Sequence, residues 1–193
     1  TVTGITASAK VYDGTTTATP GGSGTLVGIV SPDVVTLNSA AVAGTFASKS
    51  VNTGINVQIS GLSLEGAGAG NYSLTQPTTT ANITIKALTV TAPDITKVYD
   101  GNTTATGSCN IGDLASNDTV TTAPTLTFIS KDIGTDNKTV TPSAMVIKDG
   151  SSVDMTANYN ITYTPNATSS ITAKALTVTG ITASAKVYDG TTT

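Results

Sequence analysis

Residues 1–17 read TVTGITASAKVYDGTTT, and residues 177–193 repeat them letter for letter. A diverged copy lies between, with Thr89–Thr104 reading TVTAPDITKVYDGNTT. The shared core, KVYDG, falls at Lys10–Gly14, Lys97–Gly101 and Lys186–Gly190, in steps of 87 and 89 residues. A repeat of this period fixes the architecture before any residue-level reading, because each copy must be one structural unit. Other anchors keep nearly the same step. Ile83–Val90 matches Ile171–Val178, and Asn71-Tyr72-Ser73-Leu74 matches Asn158-Tyr159-Asn160-Ile161. Phe46-Ala47-Ser48-Lys49 matches Phe128-Ile129-Ser130-Lys131 at a step of 82, and Ser31-Pro32-Asp33 matches Ser116-Asn117-Asp118. The third copy matches the first and not the second, so a pair of 176 residues is the younger duplication. The expected organisation is a first module over 1–86, a second over 87–174, and the opening strand or strands of a third over 175–193.

The repeat unit reads as all-β. Thr, Val and Ile crowd χ1 in a helix and suit a pleated strand. Period-2 alternation is visible over Ile55–Ile59, Thr119–Thr127 and Lys138–Val146. Turn signals such as Asp13-Gly14, Pro20-Gly21-Gly22 and Asp149-Gly150 recur every 8–12 residues, which predicts about seven short strands per unit in a β-sandwich. At the boundary the apolar parity flips: Ile83 and Ile85 are odd, Leu88 and Val90 even, with no Gly or Pro between. A one-residue shift turns side chains to the opposite face. The last strand of one unit is therefore expected to run almost directly into the first strand of the next. Such a short link predicts a stiff rod, about 30 Å per unit for strands of eight to ten residues.

Composition narrows the function. The 193 residues include 41 Thr, no Arg, no His, no Trp, one Glu and one Cys. Without His there is no Ser-His-Asp or Cys-His machinery and no imidazole metal site. A single Cys, Cys109, excludes a disulfide framework and a cysteine zinc site; it reads as a small buried or incidental thiol. A net charge of −3 argues against nucleic acid as a partner. No apolar run approaches a membrane span, and the start at Thr1 shows no basic-then-apolar leader. The chain, which opens without Met, reads as a piece of a longer array.

The ordered string KVYDGTTTAT, GTF-x-SK-x-VNTG, GNYSL and ANITIKALTVT resembles the YDG repeat family and the related glycine-rich MBG repeats. The resemblance covers both complete units and the start of the third. It implies tandem modules of very large secreted bacterial surface proteins, including haemagglutinin-like adhesins, an immunoglobulin-like β-fold, and a place outside the cell or on its surface. The second unit departs in its middle, where Asp132–Asn137 is longer and more acidic than Ser50–Thr53 and Gly66–Gly70 has no counterpart.

Each candidate residue has a structural and a chemical reading. Tyr12, Tyr99 and Tyr188 precede Asp13-Gly14, Asp100-Gly101 and Asp189-Gly190. The expected role is a strand-ending Tyr on the core, then a turn in which Asp bonds its own backbone and Gly supplies positive φ. With Lys10, Lys97 and Lys186 these form the repeated structural motif. Lys10, Asp13 and Asn71, and Lys97, Asp100 and Asn158, are also the ingredients of an intramolecular isopeptide crosslink, which needs a neutral, desolvated Lys beside an Asn carboxamide and a buried acid. Asp113, Asp118, Asp132 and Asp136 offer oxygen ligands for calcium, although no calcium-loop pattern surrounds them and no cofactor is otherwise implied. Gly66–Gly70 lacks a following Gly-Lys-Ser/Thr and reads as a connecting loop. Thr-x-Thr at Thr1, Thr89 and Thr177 recurs too sparsely for an ice-binding ladder. Sequons such as Asn82 and Asn102 matter only in a glycosylating host.

Three functions compete. A structural stalk or spacer of an extracellular adhesin or filament uses repetition to gain length. A self-assembling fibre would join chains by β-strand addition, since residues 1–17 and 177–193 are interchangeable. A glycan- or protein-binding module would use loops such as Gly21–Gly24 or Asp132–Asn137, with few aromatics to stack on a sugar. An enzyme is not expected. The partners anticipated are further copies of the module, with no membrane span and no nucleic acid.

Overall fold

The computed structural model describes residues 1–193 and is almost entirely β, with two single-turn 3-10 helices and no α-helix. In the first module a five-stranded sheet runs in the order Lys10–Val11, Thr78–Thr84, Asn52–Ser60, Ala43–Phe46, Thr17–Ala18. The second module repeats it as Thr96–Val98, Asn166–Thr172, Gly134–Ser143, Thr125–Phe128, Thr104–Ala105. Both are antiparallel except at one edge, where Lys10–Val11 and Thr96–Val98 lie parallel to Thr78–Thr84 and Asn166–Thr172. The alternation read from the sequence forms these sheets: Ile55, Val57 and Ile59 are buried while Asn56, Gln58 and Ser60 face solvent.

A second layer of small sheets completes each sandwich-like module. In the first module it holds Val2–Thr3 with Thr25–Leu26, Thr36–Asn38 with Ser63–Glu65, and Thr6–Ala7 with Pro20–Gly21. In the second, Lys86–Thr91 sits between Asn110–Ile111 and Tyr159–Thr164, and Thr119–Thr122 pairs Val146–Lys148. The strands are shorter and more numerous than the expected seven, because turn residues interrupt the β-branched runs every few positions. One difference between the modules matters below. Tyr159–Thr164 is a full strand, parallel to Lys86–Thr91, whereas the matching stretch Tyr72–Pro77 has no strand partner.

The boundary behaves as the parity flip predicts. A single residue, Ile85, separates Thr78–Thr84 from Lys86–Thr91. Ile85 is 48% exposed, while Ile83 before it and Leu88 and Val90 after it are buried. Lys86 pairs with Tyr159 in the ladder of the second module. The core does not stop there. One cluster of 16 buried residues joins Tyr12, Phe46, Val57, Ile59 and Ile83 of the first module to Leu88, Val90, Met145, Ile147 and Tyr159 of the second. A separate cluster of seven, around Leu126, Phe128, Val140 and Ile171, fills the five-stranded half of the second module. The expected opening strand in residues 175–193 is not formed; those residues are exposed throughout.

Candidate functional site, the joint between the modules

The KVYDG turn is built locally. Lys10 Nζ donates to Asp13 Oδ1 at 2.7 Å, to Thr15 O at 2.9 Å and to Thr17 O at 2.9 Å. Asp13 Oδ1 in turn accepts from the Thr15 N–H and hydroxyl, both at 2.9 Å. Burial pushes the Asp13 carboxyl up, but these bonds outweigh it and hold the carboxyl below the usual range. The Lys10 stem lies over Phe46, with Nζ 5.4 Å from the ring centroid. Lys97 repeats the set with Asp100, Asn102, Thr104 and the Phe128 ring. Lys186 does so with Asp189, Thr191 and Thr193 in a segment that has no body to pack on. The lysine–aspartate pair is therefore local: spacing alone brings the ammonium to a carboxylate three residues away in all three copies, and on to two backbone carbonyls in the first two.

Tyr12 does something its repeat partners do not. It is 1% exposed, and its hydroxyl donates to Asp118 Oδ2 at 2.9 Å, 106 residues away in the second module. Tyr159 donates to the same oxygen at 2.7 Å and accepts from the Ala115 N–H at 2.8 Å. The two rings meet edge to face at 5.5 Å. Asp118 is buried, and its Oδ1 has no partner. Burial and the neighbouring Asp118 carboxylate push both phenols well above the ordinary tyrosine range, the Ala115 N–H partly offsetting this for Tyr159.

Three further contacts close the joint. The Ser116 N–H donates to Asp13 O at 3.1 Å. Lys49 Nζ donates to the buried Asp149 Oδ2 at 2.5 Å, and this bond, with those from the Val153 and Ser151 N–H groups, lowers the Asp149 pKa. The Val51 N–H donates to Asn158 Oδ1 at 2.8 Å. The signature glycine acquires a second role here. Gly14 sits at φ +79°, and a Cβ on it would stand 2.3 Å from Ser116 O. Gly101, at φ +82°, has nothing within 4 Å. Positive φ serves the turn in both copies, while the close approach serves the joint in one.

The other candidates are placed differently from their chemical readings. Lys10 and Asp13 meet, as do Lys97 and Asp100, but neither lysine bonds Asn71 or Asn158. Asn71 is exposed in the turn Ala69–Asn71, and the Asn158 carboxamide is engaged by Val51 and Met155 Sδ. An isopeptide bond would need a neutral lysine against the asparagine, and here each lysine is ion-paired to its turn aspartate. Asp113, Asp118, Asp132 and Asp136 do not converge: no three acidic or thiol side chains gather anywhere. Asp118 is instead the acceptor of the joint, Asp132 bonds Ser130, and Asp136 bonds Ser170. Gly66–Gly70 follows Ser63–Glu65 as a turn that runs into the 3-10 helix Ala69–Asn71. Cys109 is a half-buried free thiol, its pKa raised by burial.

Tandem sandwich-like modules joined through one hydrophobic core define a β-repeat protein. The family model for the YDG domain matches residues 1–81 and again 84–168. The chain belongs to the YDG domain family, as two tandem copies. No curated protein and no solved structure matches it. No helix is long and apolar enough to cross a membrane.

Proposed function

We propose that this chain is a spacer segment of an extracellular bacterial surface protein, an adhesin or filament, and that its work is mechanical. The observation that carries the reading is the continuous core across the module boundary, with Ile85 as the sole linking residue. Independent beads on a string need a linker of several flexible residues. A shared core instead fixes the angle between units, so each added pair lengthens the array without adding a hinge. Low charge and a threonine-covered surface fit a stalk, and the reading assigns no catalysis to any residue.

Two measurements test it. Small-angle scattering of the chain should give an elongated particle whose two modules keep one relative orientation. A broad distribution of inter-module angles contradicts the spacer mechanics. Antibodies raised against residues 1–193 should label intact, unpermeabilised cells of the source organism. Labelling only after permeabilisation contradicts the surface assignment.

A further inference from the structure

The opening strands of the second module lie beside its closing strands and run in the same direction. Lys86–Thr91 is parallel to Tyr159–Thr164, in unbroken register from Lys86 opposite Tyr159 to Thr91 opposite Thr164. Thr96–Val98 is then parallel to Asn166–Thr172, with Thr96 opposite Ser170 and Val98 opposite Thr172. Further bonds bridge the gap between the two ladders and close the far end. The Ala92 N–H donates to Thr164 O at 2.9 Å, the Ser170 N–H to Ile95 O at 2.8 Å and the Tyr99 N–H to Thr172 O at 2.8 Å. The Thr172 hydroxyl adds a bond to Lys97 O at 3.3 Å. Residues 86–99 therefore run alongside residues 159–172. Leu88, Val90, Ile95, Ser169, Ser170 and Ile171 are buried along this seam, so water does not compete for its bonds.

The first module repeats the far end of this arrangement. Lys10 lies opposite Ile83 and Val11 opposite Thr84, again in parallel. The Tyr12 N–H donates to Thr84 O at 2.8 Å, and the Thr84 hydroxyl to Lys10 O at 3.2 Å. In both copies, then, the Lys-Val-Tyr of the repeated motif is the strand that holds the last strand of its own module. Thr84 ends one such pairing and Lys86 begins the next, with Ile85 alone between them. The six-pair ladder is seen in the second module, since Tyr72–Pro77 has no strand partner.

Direction decides how such a pairing meets a pull. Tension along the chain enters the second module at Lys86 and leaves it at Thr172. It draws Lys86–Thr91 backward and Asn166–Thr172 forward, along the strand axes. Parallel strands drawn by opposite ends must slide, and the evenly spaced bonds of the ladder resist together; strands drawn apart by adjacent ends open one bond at a time. We propose that these parallel pairings are shear clamps, by which each module withstands tension along the chain, and that Ile85 passes the load from one clamp to the next without slack. This rests on the spacer reading and names what the spacer must survive, a pull along its length.

Single-molecule pulling on the 193-residue chain, in a Cys109→Ser background, tests this with two directions of force. One handle is always on Thr193. The other is on Ile85→Cys, which pulls the second-module clamp lengthwise, or on Val98→Cys, which draws Val98 away from the adjacent Thr172 and opens the pairing from its end. These positions are 48% and 56% exposed, and both variants should melt with the parent. Ala87→Cys, exposed at the start of the same strand, replaces Ile85→Cys if that variant melts early. Rupture under force follows the unfolding barrier in the direction applied, so at equal loading rate the lengthwise pull should need at least about twice the force of the end-on pull. Strands that only stabilise the fold would show no dependence on direction. Equal forces, or a lower force for the lengthwise pull, overturn the clamp and leave the spacer role to cell labelling and scattering. Failed surface labelling with directional forces intact would remove that role and keep the clamp.

Discussion

Replacing Tyr12 by Phe removes one hydroxyl and keeps the ring against Tyr159. Asp118 Oδ2 then loses the 2.9 Å bond from Tyr12 and keeps only the bond from Tyr159. Asp118 is buried and its Oδ1 is already without a partner, so no solvent replaces the missing donor. A hydrogen bond to a charged group contributes about 1.5–3 kcal/mol. For a cooperative unit of this size, that corresponds to a melting temperature lower by about 3–12 °C. The repeat supplies the control: Tyr99→Phe alters the same motif at a position whose hydroxyl bonds nothing, and should fall within about 0.5 kcal/mol of the parent. The assay is urea unfolding at dilute protein, read by tyrosine fluorescence and far-UV circular dichroism. The parent should unfold in one transition because its modules share a core, and Tyr12→Phe should lower the midpoint. Tyr12→Ala, which also removes the ring, should split the curve into two transitions. Equal, negligible losses for Tyr12→Phe and Tyr99→Phe would refute the reasoning, since the hydroxyl of the joint would then contribute nothing.

Three further outcomes follow from the same contacts. Gly101→Ala should cost about 1–2 kcal/mol for its positive φ alone, and Gly14→Ala distinctly more, because its Cβ would meet Ser116 O at 2.3 Å; thermal melts of the two variants compare them directly. Lys49→Met should destabilise the chain at pH 7, and the difference should close in acid. The bond from Lys49 lowers the Asp149 pKa in the folded state, so its stabilisation is present above the ordinary 3.8 and is lost as pH falls through the lowered value. Absorbance titration at 295 nm should find Tyr12 and Tyr159 still protonated at pH values where an ordinary tyrosine ionises. Because the folded state raises these two pKa values, stability should hold below pH 10 and decline above it as the unfolded chain gives up both protons. Ionisation of Tyr12 and Tyr159 near pH 10, with the fold intact, would contradict their burial.

Much of this architecture is legible in the chain itself. The period, the all-β character and the near-direct strand-to-strand link rest on side-chain alternation and on the parity flip around Ile85, which are local properties. The Lys10–Asp13–Thr15 turn is legible for the same reason. Proximity across 106 residues is not local, and there the reading diverged. Tyr12 was expected on a core and lies on one, but its hydroxyl partner belongs to the next module. Asp118 stands in the sequence as one acid among several; its informative feature is its recurrence as Asp33, each followed by a repeated tyrosine, Tyr159 or Tyr72. Lys49, Asp149 and Asn158 carry no pattern that marks them as joint residues, since ion pairs and amide contacts between surfaces depend on a docking angle the sequence does not encode.

The motif therefore works at two levels that the letters KVYDG do not separate. Lysine, aspartate and the positive φ of glycine make the turn, and they make it even at Lys186–Gly190, where nothing packs against the segment. Tyrosine and the missing Cβ of glycine make the joint, and they act only where a neighbour supplies a carboxylate and a backbone carbonyl. Tyr12 has that neighbour and is buried; Tyr188 has none and is 93% exposed. A residue spaced for a local turn but completed by the following unit is how a repeat keeps one sequence at every position and still couples each module to the next. Coupling then depends on adjacency, not on variation in the motif, and a damaged acceptor such as Asp118 should uncouple its own boundary while leaving every KVYDG turn in the chain intact.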